Sequence, residues 1–121
     1  MVEEYLETIN NNKHLNAFLE TYDKEAIDAA VEIDEKISSG KAGKLAGLVI
    51  GLKDNIAQKG HILSASSKIL ENFKSIYSAT VVNRLISEDA VIIGRLNCDE
   101  FAMGSSNENS AFGNVLNPND E

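Results

Sequence analysis

Apolar residues at the start of the chain fall at Val2, Tyr5, Leu6 and Ile9, the i, i+3, i+4, i+7 spacing of one helical face, and the pattern stops at Asn10-Asn11-Asn12. It predicts a helix that starts at full amplitude with no capping residue before it, as expected of a sequence that begins inside a longer element. After an extended stretch from Leu15 to Leu19, Asp23 is predicted to cap a second helix. Ala26, Ile27, Ala30, Val31, Asp34 and Ile37 mark one side of it, with Asp34 the one polar interruption, and Gly40 ends it in a left-handed position. Residues 1–40 therefore read as a helical region.

A linker from Gly40 to Lys44 leads into Leu45-Ala46-Gly47-Leu48-Val49-Ile50-Gly51-Leu52, too continuously apolar for a half-exposed strand and predicted to be a buried strand ending near Lys53. Gly60 to Ser67 has loop composition, and Ser67 to Phe73 is predicted to form a short helix through Ile69, Leu70 and Phe73. Ser78 is predicted to cap a further helix buried through Val81, Val82, Leu85 and Ile86, followed by a second buried strand, Ala90-Val91-Ile92-Ile93-Gly94. Strand, helix, strand in that order predicts an α/β fold with a parallel pair. From Gly104 onward the chain is rich in Ser, Asn and Gly, the composition of a long loop that is either disordered or functional and awaiting a partner.

Composition adds limits. The chain has 121 residues, 43% of them hydrophobic, which suits one small unit with a modest core. Eleven Lys and Arg against 19 Asp and Glu leave a net charge of −8, which disfavours direct contact with nucleic acid or anionic lipid. No run has the length of a membrane span, and Met1-Val2-Glu3-Glu4 lacks the features of a signal peptide, so a cytoplasmic protein is expected. Cys98 is the single cysteine and reads as a small apolar residue rather than a reactive thiol.

Generic motifs are absent: there is no phosphate-binding glycine loop, no dinucleotide fingerprint and no zinc-type histidine pair, and His14 and His61 are isolated in sequence. Asp99-Glu100 could offer carboxylates to Mg²⁺ but reads more simply as an acidic pair opening a short helix. A triad of Ser64, His61 and Asp54 can be composed on paper, as it can by chance in any serine-rich sequence. Lys53 is more informative, because it emerges where a buried strand reaches the carboxyl edge of the sheet, the edge at which open α/β sheets place their sites. Held there among apolar groups, its amine would lose its proton more readily and could serve as a general base toward a serine. On composition alone a surface lysine paired with Asp54 is the commoner arrangement.

The segment Leu45-Ala46-Gly47-Leu48-Val49-Ile50-Gly51-Leu52-Lys53-Asp54-Asn55-Ile56 resembles the lysine motif of amidase-signature enzymes. Ala65-Ser66-Ser67-Lys68-Ile69-Leu70-Glu71-Asn72-Phe73, Ala79-Thr80-Val81-Val82 and Ala90 through Ser106 are similar to the A subunits of tRNA-dependent amidotransferases within that family, as is Asn109-Ser110-Ala111-Phe112-Gly113 before Asn117-Pro118. The likeness runs from about Leu45 to Asp120, with a weaker continuation back through Leu15-Asn16-Ala17-Phe18.

The resemblance implies a mixed sheet, with residues 45–121 starting a catalytic α/β core, and a Ser, cis-Ser, Lys mechanism with Lys53 as base. It also implies that Met103, Gly104, Ser105 and Ser106 line the substrate pocket, although core packing is an equal alternative for Phe101 and Met103. Glutamine would be the substrate, and its ammonia would pass to partner subunits B and C of a heterotrimer, where ATP and Mg²⁺ are used to amidate glutamate, or aspartate, on a misacylated tRNA. No cofactor is expected on this chain. The family's Gly- and Ser-rich segment with both serines is expected just after Asn117-Pro118-Asn119-Asp120, whereas the sequence ends at Glu121, and neither Ser105 nor Ser106 matches those serines. The 121 residues alone are thus expected to be inactive. Other expectations compatible with the sequence are a different amide hydrolase of the same family and a non-catalytic binding module.

Overall fold

The computed structural model describes residues 1–120. Helix α1 spans Val2–Asn11 and helix α2 Asp23–Ser38; strand β1 (Phe18–Thr21) lies between them. Strand β2 (Val49–Lys53), helix α3 (Thr80–Ser87) and strand β3 (Val91–Leu96) follow. The strands form one mixed sheet in the order β1-β3-β2, with β2 parallel and β1 antiparallel to β3. The expected parallel pair is present, while the extended stretch expected from Leu15 to Leu19 is met only at Phe18 and Leu19: Leu15 ends a turn of 3-10 helix, Lys13–Leu15, Asn16 is left-handed, and the antiparallel edge strand runs Phe18–Thr21.

Helices cover both faces of the sheet. Val2 of α1 and Ala26 and Ile33 of α2 pack with Val91 and Ile93 on one face; Val82 of α3 packs with Tyr22, Leu52 and Ile92 on the other. The buried stripe of α2 therefore includes Ile33, while Asp34, Val31 and Ile37 are exposed: the face is turned by about one residue from the predicted one. Gly40, with φ 70°, closes α2 as expected, its N–H reaching the Ile37 carbonyl while the Lys41 N–H reaches that of Lys36.

Four predicted details are corrected. Asp23 is the first residue of α2 rather than its side-chain cap, and Ser78 caps nothing, its Oγ accepting the Lys59 N–H instead. Strand β2 starts at Val49 because Leu45 to Leu48 fold into turns, with Gly47 at φ 89°, and most of the strand is half-buried. Ser67 to Phe73 yields one turn of 3-10 helix, Lys68–Leu70, capped by Ser67 and leaving Ile69 exposed.

The pairing of β2 with β3 slips by one residue between Ile50/Ile92 and Gly51/Gly94, so Ile93 is an extra residue on β3. Paired residues share a face, and a one-residue slip inverts the alternation beyond it. Arg95, opposite Leu52, is thereby turned to the α3 face rather than toward α1 and α2.

Candidate active site

Lys53 closes β2 and lies opposite Leu96, so it stands at the carboxyl edge of the parallel pair. Its neighbours Leu52 and Asp54 are 4% and 0% exposed, while Lys53 itself is exposed. The period of two along a strand explains this: two inward neighbours send the lysine to the opposite side. The lysine is exposed, as the commoner arrangement has it, and burial among apolar groups, the condition for its use as a base, is not met within this chain. Nor does Asp54 serve as its ion-pair partner.

Asp54 instead accepts Arg95 Nη1 at 2.7 Å, the Ser64 N–H at 3.0 Å, the Ser66 N–H at 2.7 Å and the Ser64 hydroxyl at close range. Its backbone is held as well, N–H to the Leu96 carbonyl at 2.9 Å and carbonyl to the Ala65 N–H at 3.0 Å. A buried carboxylate is tolerable only when paired and fully hydrogen-bonded, and here both conditions are met. Arg95 also lies 3.6 Å from the Glu20 carboxylate on β1, leaving its Nε without a partner.

The next layer secures the loop after β3. Ser66 Oγ accepts the Cys98 N–H at 3.1 Å and donates to Asn97 Oδ1 at 3.2 Å, which also accepts the Ser110 hydroxyl at 2.6 Å. Asn97 Nδ2 reaches the carbonyls of Asn16 and Gly113, and the Ala111 N–H reaches the Ser66 carbonyl. The buried Asp99 carboxylate accepts the N–H groups of Asn107 and Asn109, so it organises the loop rather than simply opening a helix. Ala65, Ser66, Phe101 and Ala102 all have positive φ, between 47° and 57°, and the Phe101 N–H bonds the Ala65 carbonyl. Non-glycine residues in this region cost free energy and persist where surrounding bonds over-determine them, as they do here.

The proposed pocket residues Met103, Gly104, Ser105 and Ser106 follow this knot and are exposed, Met103 at 80%. Ser106 Oγ donates to Glu108, and Gly104 is pressed so closely on Asp99 that a Cβ there would strike its carboxylate. Phe101 and Met103 are not packed in the core, which corrects that alternative. Cys98 is buried beside Ser66 Oγ, as its type suggested. The Ser64, His61, Asp54 triad is not assembled: Ser64 binds Asp54 directly, while His61 stacks on Tyr22 and pairs with Glu25 at 3.1 Å. Tyr22 has its phenol pushed up to about 12 by burial and then by the Glu20 carboxylate, so it contributes a neutral wall beside Arg95.

Sequence reasoning placed Lys53 at the edge but missed the Asp54, Ser64, Ser66, Arg95 and Asn97 cluster beneath it. The available signal was Arg95 itself: a cation directly after the apolar run Val91 to Gly94 demands a buried partner.

A family model described as Amidase matches residues 1–121. The chain is 51% identical over 122 residues to the A subunit of the glutamyl-tRNA(Gln) amidotransferase of Chlorobium chlorochromatii (strain CaD3), covering 100% of the chain and 26% of that protein. It therefore spans about a quarter of the length of the curated relatives it matches. Among solved structures it is similar to the A subunit of the glutamyl-tRNA(Gln) amidotransferase of Thermotoga maritima, with a TM-score of 0.76 and 34% identity over 98% of the chain and 24% of that one. It is also similar to the native peptide amidase of Stenotrophomonas maltophilia, with a TM-score of 0.85 and 31% identity over 97% of the chain and 26% of that one. The mixed sheet, the lysine at its edge and a match along the whole sequence agree: this chain belongs to the amidase family.

Proposed function

We propose that this chain contributes the lysine base of a glutamine amidohydrolase, the A subunit of a glutamyl-tRNA(Gln) amidotransferase. The observation that carries the reading is Lys53, the last residue of β2, directed outward at the carboxyl edge of the sheet by its two buried neighbours. The 51% identity to the Chlorobium protein supports the choice of substrate. A neutral Lys53 amine would take the proton of a serine nucleophile through a second serine, and the nucleophile would attack the glutamine carboxamide, releasing ammonia and leaving an acyl-enzyme for water. Neither of those serines is Ser64 or Ser66, which are consumed in bonds to Asp54 and Asn97. The 121 residues alone are expected to release no ammonia.

Met103, Gly104, Ser105 and Ser106 would form one wall of the glutamine pocket. In this reading ammonia passes to partner subunits, B and C, and the ATP and Mg²⁺ used to amidate the misacylated tRNA are bound there. The test is ammonia release from glutamine by an enzyme containing this chain, assembled with those subunits: Lys53→Ala should lower kcat/KM at least about a thousandfold. Retention of activity would overturn the role of Lys53.

The likeness to a peptide amidase favours a second reading, hydrolysis of a peptide or other free amide. Activity on a C-terminal peptide amide that is indifferent to partner subunits would establish that reading over the first.

A further inference from the structure

The strand that carries Lys53 continues one residue further into the most heavily bonded carboxylate described in the chain, and three separate segments meet on it. Asp54 sits at the end of β2, Ser64 and Ser66 come from the following loop, and Arg95 comes from β3, turned to this face by the extra residue at Ile93. All six hydrogen bonds made by Asp54, four on the carboxylate and two on the backbone, act on the residue bonded covalently to Lys53. Rotation of the Lys53 peptide is thereby blocked on its carboxyl side.

Charge gives a second argument. A bare carboxylate next to Lys53 would favour the ammonium over the amine and so oppose its use as a base. Arg95 at 2.7 Å cancels that charge within the protein interior. Around the pair on the α3 face, Glu20 of β1 lies 3.6 Å from Arg95, Glu25 of α2 pairs with His61, Tyr22 is un-ionised, and Asp23, Lys24 and Lys74 line the same cleft as Tyr22 and His61.

We propose that Asp54 and Arg95 act together as the positioning pair of Lys53, fixing the direction in which its side chain leaves the strand and offsetting the carboxylate charge next to it. The proposal rests on Lys53 being the base of the reaction. Asp54 and Arg95 touch no reacting atom, so their effect is read through the lysine.

The experiment is the pH dependence of kcat/KM for ammonia release from glutamine by an enzyme containing this chain. Its acid limb reports the fraction of enzyme with a neutral Lys53. Asp54→Asn leaves the Arg95 cation uncompensated, makes deprotonation easier and should move the limb down by about one pH unit; Arg95→Gln leaves the carboxylate uncompensated and should move it up by a similar amount. The double variant should return the limb to its native position. A purely structural pair would lower kcat at every pH and leave the limb in place, and that result would overturn the proposal. Ser64→Ala keeps the ion pair but removes one donor from Asp54, so it should raise the limb by roughly a few tenths of a pH unit; if the charge variants do not fold, an unmoved limb here overturns the proposal equally. Lys53→Ala run alongside separates the two ideas: activity without the lysine sinks the base assignment itself, whereas inactivity with unmoved limbs in the other variants sinks only the positioning pair.

Discussion

Removing the Asp54 carboxylate strips Arg95 of its partner inside the protein, whereas removing Lys53 takes away a side chain that faces solvent. The two neighbours should behave oppositely in stability measurements. Asp54→Ala is expected to cost about 3 to 5 kcal/mol, the usual penalty for leaving one half of a buried pair uncompensated. Lys53→Ala should stay within about 0.5 kcal/mol, as exposed positions do. Urea unfolding of the chain checks both; a Lys53 variant as damaged as the Asp54 variant would mean that the lysine is packed and not presented. At this scale the sequence was half informative. The apolar run before Lys53 located it at a strand end, but its exposure depends on Asp54 turning inward, and the partner that turns it lies 41 residues away. No local pattern around Asp54 distinguishes it from a surface aspartate.

Among the secondary-structure elements, the helices were legible in position because the 3.6-residue period of their apolar positions is a local property, although α3 buries Val82 and partly Leu85 while Val81 and Ile86 are exposed, and the central strand was legible because it is apolar on both faces. Strand β1 was read only as extended: four residues with partial burial carry little pattern, and their pairing is with residues far along the chain. Leu45 to Leu48 misled in the other direction, apolar enough for a strand yet bent by Gly47 in a conformation that only glycine adopts freely. The register slip at Ile93 was invisible, since it arises from pairing and not from composition. Where β1 crosses β3, Gly94 lies against the Glu20 carbonyl and the Phe18 ring, with no room for a Cβ. Gly94→Ala should therefore destabilise by about 3 kcal/mol through overpacking, with the backbones of β1 and β3 forced apart. Thermal unfolding tests this, and an unchanged midpoint would show that β1 yields easily.

For the molecule as a whole, the β1–β3 pairing between the amino-terminal region and the β2-α3-β3 unit is supplemented by a polar link at Asp89. Its carboxylate accepts Lys36 Nζ of α2 at 2.6 Å and the Gly43 N–H at 2.7 Å, while the Glu88 carboxylate accepts the Lys44 N–H. Lys36 and the Gly43 N–H hold the Asp89 carboxyl below its ordinary value of 3.8, and Asp89 raises Lys36 above its ordinary 10.5. A depressed carboxyl stabilises the fold above its unfolded pKa and ceases to do so as pH falls through the folded one; a raised lysine stabilises below its unfolded pKa and ceases as pH rises through the folded one. The link is thus fully in force between 3.8 and 10.5. Asp89 has φ 65°, a conformation that asparagine also accepts, so Asp89→Asn removes charge without backbone strain. The difference in Tm between native and Asp89→Asn protein should be constant near neutral pH and shrink as the solution is acidified from about pH 5 to about pH 2; a difference that persists in acid would assign the effect to packing.

The order β1-β3-β2 also has a consequence for how such a chain is made. The central strand is the last of the three to be synthesised, so β1 and β2 leave the ribosome with nothing to pair with, and they do not pair with each other. Until synthesis has passed Leu96, the first two helices and both outer strands lack the central strand against which their apolar faces pack. The three-stranded pairing, and with it the edge on which Lys53 stands, cannot form before Val91–Leu96 has been made.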